Sequence, residues 1–292
     1  MSDQEFRPSR FQILPAVVKN LLIINGIMFL LTMVLQDKFE YDLNDLLGLH
    51  YPGSSAFYPF QYITYMFMHG SFTHILFNML ALWMFGNALE NIWGPKRFLI
   101  FYFVCGIGAA AINSLVNWYD IEQTRLSIAN FTGFGTPEAF DFFLHKQNLL
   151  TDGNNVVHTI MNYIFDRKSP QELVNFVDQW KHSPKDPGAL HEATSFCNEY
   201  LAAKINSVTV GASGAIFGIL LAFGMFFPDT IIYLYFAIPI KAKYFVWLYG
   251  GLELFLGVQQ NAADNVAHFA HLGGMLFGYI LILIWKRTAR SY

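Results

Sequence analysis

The stretch "VTVGASGAIFGILLAFGMFF", Val208–Phe227, is apolar enough for the interior of a lipid bilayer, yet it carries a lone serine, Ser213, between Gly211, Ala212 and Gly214. A strongly polar or ionisable side chain inside a membrane span costs about 2 kcal/mol or more, so each one needs a reason. The rest of the chain supplies the setting. Its 292 residues are 54% hydrophobic and only 13% charged, with a positive mean hydropathy, which points to a polytopic membrane protein and away from a soluble globule. Net charge is -3 and the basic residues are scattered, so no electrostatic footprint for nucleic acid is present. Two cysteines, Cys105 and Cys197, argue against a disulfide scaffold or a cysteine-based zinc site.

A bilayer core about 30 Å thick needs roughly 20 apolar residues of helix. Six segments approach that length: Pro15 to Leu35, Thr73 to Ile92, Phe98 to Trp118, Ser207 to Phe227, Ala242 to Val258 and Val266 to Trp285. The polar N-terminus "MSDQEFRPSRFQ" and the missing cleavage site after the first apolar run read as a retained span, not a removed signal peptide. Between spans four and five, "PDTIIYLYFAIPIKAK" holds two prolines and reads as a connection, interfacial or re-entrant over 228–240. Arg7, Arg10 and Lys19 flank span one, Lys96 and Arg97 join spans two and three, Lys241 and Lys243 lead into span five, and Lys286, Arg287 and Arg290 follow span six. With six spans all of these fall on one side, so both termini are expected in the cytoplasm. The fold expected is all-α: a cytoplasmic tail at 1–14, a core of spans one to three at 15–118, an extracytoplasmic helical insert at 119–205, spans four to six at 206–285, and a cytoplasmic tail at 286–292.

The insert is charged and amphipathic. "SPQELVNFVDQWKH" opens with Ser169 as N-cap, Pro170 at the first helical position and Glu172 completing a capping box. Further helices are expected over Pro137 to Leu150, Asn155 to Asp166 and Gly188 to Lys204. Leu173, Phe176, Val177 and Trp180 recur on one face, which fits a small core or a membrane-surface position.

Polar residues inside the apolar segments cluster on three spans. Span two holds His74 and Asn78, four residues apart on one helix face; span four holds Ser213; span six holds His268 and His271 in "NVAHFAHLGGMLFG". Gly214 and Gly218, and Gly274 and Gly278, each form a small-xxx-small face that lets two backbones approach closely. Close packing there puts an imidazole within reach of the serine hydroxyl, the geometry of an activated nucleophile. No carboxylate lies in either of those two spans, so the reading is a dyad. His74, Asn78 and the backbone N–H of Ser213 are suited to stabilise an oxyanion. A metal is not expected: His268 and His271 form HxxH, but HExxH is absent and no carboxylate is expected within the same span segments to complete the set. His268 and His69 read as packing or hydrogen-bonding residues, Cys105 as packing, and Asn113 and Asn117 as satisfying helix ends.

"GASGAIFG" (211–218), a downstream "AHLGGMLFG" (270–278), an upstream "HGSFTHILFN" (69–78) and "ALENIWGPKRFL" (88–99) together resemble the rhomboid family of intramembrane serine proteases. The resemblance covers about 15–118 and 206–285 and leaves out the insert. It implies Ser213 as nucleophile, His271 as general base, and His74 and Asn78 as oxyanion-hole side chains; His271 and not His268 has Gly274 and Gly278 three and seven positions on. Phe217 stands where the family often stacks an aromatic on the histidine. The resemblance further implies no cofactor, and substrates that are transmembrane segments entering laterally from lipid past span five and the cap over span six. The expected setting is a cell (inner) membrane, and the insert is available for substrate or partner docking. The rival reading is a proteolytically silent rhomboid-like chaperone or adaptor, which typically lacks the serine or the histidine. A transporter would want ion-coupling carboxylates in the spans, and none are expected there.

Overall fold

The computed structural model describes residues 12–150, 170–234, 238–259 and 267–289. The chain is mostly helical. Helix α1 (Ala16–Phe39) enters after Pro15, and its first N–H groups are met from outside by a buried carboxylate. Val17 N and Val18 N donate to the two oxygens of Glu90 at 2.9 and 2.8 Å, placing an anion at the positive end of the helix. After α2 (Leu43–Leu47), β1 (Leu49–His50) and the short α3 (Gln61–Thr64), helix α4 (Phe72–Ala81) starts at Ser71, whose hydroxyl accepts from His74 N at 3.1 Å. A π-helical turn, Leu82–Gly86, joins α4 to α5 (Asn87–Trp93), so the rod continues to the glycine that ends it. Gly94, at φ +77°, breaks it, and Pro95 opens α6 at its first position.

Helix α6 runs from Pro95 to Phe134, 40 residues. The boundary expected at Trp118 is therefore corrected: nothing at 118–120 breaks a helix, and polar residues continue the same rod out of the apolar zone. It stops at Gly135, φ +62°, after which Thr136 caps α7 (Pro137–Lys146) by accepting from Ala139 N. The insert adds α8 (Pro170–His182) and α9 (Pro187–Ile205), the latter capped by Asp186. Ser169 and the helix expected at 155–166 lie outside the described residues. Phe131 of α6, Phe140 and Phe143 of α7, Trp180 of α8 and Phe196 of α9 close into a core of their own. Cys197 is buried in it as a free thiol whose pKa is pushed up by burial.

Span four begins later than its apolar run. Val208–Thr209 form β2, which pairs antiparallel with β1 (Leu49↔Thr209, His50↔Val208), and Gly211 adopts φ +127°, a conformation that favours glycine. Helix α10 is Ser213–Phe226, so the serine is its first residue. Asn113, expected to satisfy a helix end, instead donates to Thr209 Oγ1 at 3.1 Å and ties α6 to this entry strand. In the connection expected at 228–240, β3 (Ile231–Leu234) pairs antiparallel with β4 (Ile238–Lys241), with Pro239 accommodated in a two-stranded pairing. The all-α expectation thus gains two small sheets. Helices α11 (Ala242–Gln259) and α12 (His268–Ala289) complete the chain.

Among the described residues four rods are long and apolar enough to cross a membrane: Ala16–Phe39, Phe72–Trp93, Pro95–Phe134 and His268–Lys286; α10 is apolar but shorter. Helix α12 packs most extensively against α6 and α10, through a seam of small residues. A Cβ on Gly218 would lie 2.9 Å from Gly274 O, and one on Gly278 would lie 3.3 Å from Gly218 Cα and 3.1 Å from Cys105 Sγ. Backbones this close leave no room for side chains, as the small-xxx-small spacing predicts.

Candidate active site

The seam brings Ser213 and His271 together. His271 Nε2 lies 2.8 Å from Ser213 Oγ, although 58 residues separate them in the chain. The imidazole is buried, 8% exposed, and Phe217, one turn after the serine, stacks on it at 4.1 Å between centroids and 8° between planes. Tyr249 of α11 stacks on Phe217 in turn, at 5.3 Å between centroids and 5° between planes. The histidine ring is thereby clamped in one plane.

Ser213 owes its placement to the turn before it. Gly211 N donates to Tyr65 O at 2.9 Å, and the Tyr65 hydroxyl donates to Gly106 O at 2.6 Å, which anchors the turn to α6. The first N–H groups of a helix have no partner within it, and Ile216 N is bonded back to Ala212 O, so the N–H of Ser213 stands in the unbonded first turn of α10.

His74 faces this turn: a Cβ on Gly211 would lie 2.7 Å from His74 Nε2 and 3.6 Å from Ser213 Oγ. Asn78, one turn along α4, is buried, and its Nδ2 has no hydrogen-bond partner among the described residues. A buried amide donor without a partner is expensive unless a ligand uses it. His69, in the loop before α4, packs its ring 5.0 Å from that of His74. Burial, reinforced by His74, lowers its pKa to about 3, so it is a neutral packing residue at any physiological pH.

One residue was missed. Glu253 of α11 is 6% exposed, and its Oε2 lies 2.9 Å from His271 Nδ1 and 2.6 Å from His268 Nδ1. The expectation that no carboxylate reaches the histidine is corrected, because the carboxylate comes from a third helix and not from either span of the pair. So is the expectation that the spans lack carboxylates. The signal was available: Glu253 is the sole acidic residue in the apolar run 243–259 and falls under the same rule that singled out Ser213. Glu253, His268 and His271 also gather three metal-ligating atoms within 4.8 Å of one another, so the ground on which a metal was not expected fails. Their spacing nevertheless speaks for hydrogen bonds. Donors about 2.0 Å from a tetrahedral zinc stand about 3.3 Å apart, whereas the nitrogen–oxygen separations here are 2.6 and 2.9 Å.

A family model described as "Rhomboid domain" matches residues 57–130 and 189–288. The gap between the two matched stretches falls in the insert. Among curated proteins, the chain is similar to Rhomboid protease AarA of Providencia stuartii, 35% identical over 66 residues, 23% of this chain and 24% of that protein. It is 40% identical to Rhomboid protease GluP of Bacillus subtilis over 99 residues, 34% of this chain and 19% of that one. It is 23% identical to an uncharacterized mitochondrial rhomboid protein of Schizosaccharomyces pombe over 230 residues, 77% of this chain and 51% of its relative. The matches thus span about half the length of these relatives at most.

Proposed function

The chain belongs to the rhomboid family of integral membrane proteins, and from that premise we propose that it is an intramembrane serine endopeptidase that cleaves peptide bonds in or beside the transmembrane segments of other proteins. The observation that carries the reading is the 2.8 Å contact between His271 Nε2 and Ser213 Oγ at the head of α10. In this reading Ser213 attacks the scissile carbonyl while His271 takes its proton and returns it to the leaving amine; water then hydrolyses the acyl-enzyme. His74, Asn78 and the Ser213 N–H donate to the oxyanion, a role that gives the unpartnered Asn78 Nδ2 its acceptor. A helical peptide bond is shielded and its carbonyl is already bonded, so the substrate unwinds locally before it is cut.

The six-span topology belongs to the same proposal: α1, the α4–α5 rod, α6, α10, α11 and α12 cross the membrane, with both termini cytoplasmic and the insert outside, in a cell membrane. Ser213 then lies toward the outer face, where water reaches it through a polar cavity. Helix α11 presents Trp247, Leu248 and Phe255 outward and forms the lateral gate for substrate. A fluorophosphonate probe tests the activity: the adduct is expected on Ser213, located by mass spectrometry of the labelled peptide. Labelling that persists in Ser213→Ala refutes the reading.

Two smaller predictions follow from the geometry. Asn78→Ala removes one oxyanion donor and lowers kcat about 100-fold while leaving KM nearly unchanged, measured on a transmembrane substrate in detergent; an effect on KM alone would make Asn78 a substrate-binding residue. His268→Ala keeps cleavage within about tenfold of wild type, because His268 bears on the base through Glu253 while the serine hydroxyl is held by His271.

A further inference from the structure

Glu253 has no part in a two-residue mechanism, yet it is buried against the base. Between Lys243 and Gln259 it is the only carboxylate of α11, and a carboxylate in such a position persists only when its partners hold it. It has two: the Nδ1 atoms of His271 and His268 both meet Oε2, at 2.9 and 2.6 Å. An ionised carboxylate only accepts hydrogen bonds, so the hydrogen of His271 sits on Nδ1 and the bare lone pair of Nε2 faces Ser213 Oγ. The opposite tautomer would turn an N–H toward the hydroxyl and leave nothing to take its proton. Tyr249, four residues before Glu253 and on the same face of α11, stacks on Phe217, which in turn stacks on the His271 ring. One helix therefore fixes both the plane and the tautomer of His271.

We propose that Glu253 is a positioning residue of the active site: it holds His271 in the tautomer that can act as a base and stabilises the imidazolium formed during the reaction. The inference rests on the protease reading above. As the Ser213 Oγ–carbon bond forms, the carbonyl electron pair moves to oxygen and the hydroxyl proton passes to His271 Nε2. The Nδ1 hydrogen stays in place, Glu253 stays ionised, and the Nε2 proton leaves with the amine nitrogen as the peptide C–N bond breaks. His268 holds the shared oxygen from its other side and keeps the carboxylate from swinging away.

The test is Glu253→Gln in the full chain, assayed in detergent on a transmembrane substrate. An amide keeps the shape but loses the charge and allows the wrong tautomer. A kcat loss of roughly 10- to 100-fold with KM within about twofold is expected. The rate of fluorophosphonate labelling should fall by the same factor, since that reaction needs only an activated serine. Glu253→Asp, which keeps the charge, should retain clearly more of both rates, and the melting temperature should stay near wild type. Wild-type kcat and labelling in Glu253→Gln would overturn the proposal, as would a rise in KM alone. Loss of cooperative melting would make Glu253 a structural anchor and overturn it equally. If Ser213→Ala still cleaves, the protease reading falls; if Ser213→Ala is inert while Glu253→Gln runs at full speed, only the positioning role does.

Discussion

On the protease reading, His271→Ala is expected to lower substrate cleavage by about 10⁴-fold, the largest effect of any single side chain apart from Ser213 itself. The size follows from the contact: His271 Nε2 is 2.8 Å from Ser213 Oγ, and without it the hydroxyl proton has no acceptor as the oxygen attacks. Losses at the two residues do not add, because either change alone ends the same step, so the double variant should be no slower than each single one. His268 lies one turn away on the same helix and shares the same carboxylate, which makes it the natural internal control. Cleavage assays on both alanine variants decide the matter. If His268→Ala is the inert one, the roles assigned to the two rings are reversed.

The second large effect lies in the backbone. Gly274→Val places a Cβ on the carbonyl oxygen of Gly214, the residue immediately after Ser213. Neither backbone can yield without separating α10 from α12. Overpacking of a tight core costs about 3 kcal/mol or more in such a place, and the same displacement draws Ser213 away from His271. A lower melting temperature in detergent and loss of fluorophosphonate labelling are expected together. Gly26→Val is the matched control: a Cβ there meets nothing within 4 Å, so both readouts stay near wild type. Undisturbed melting and labelling in Gly274→Val would mean that the seam is looser than its contacts show.

Much of the site could be read from the chain because its parts obey local rules. The glycine spacing on α10 and α12 is a statement about one face of each helix, and the pairing of Ser213 with His271 follows once those faces meet. His74 and Asn78 share a face by their spacing of four, and the geometry around Gly211 sets His74 beside the serine. What escaped notice depends on partners distant in sequence. Glu253 matters because a third helix docks beside the first two. The start of α10 at Ser213 instead of Ser207 depends on β2 finding β1, some 160 residues earlier, although the glycine at 211 marked the place. The continuation of α6 past Trp118 leaves no mark in the hydrophobicity, whose fall signals the end of the apolar zone and not the end of the helix.

At 1.5 Å per residue, the 40 residues of α6 make a rod about 60 Å long, roughly twice the thickness of a bilayer core. Its first half carries Cys105 and Ala109, pressed against the glycines of α10 and α12, and its second half carries Ile128 and Phe131, sunk in the aromatic core of the insert. After Pro95 it contains no proline to serve as a joint. One continuous helix thus links the packing around Ser213 to the aromatic core of the insert without an intervening loop.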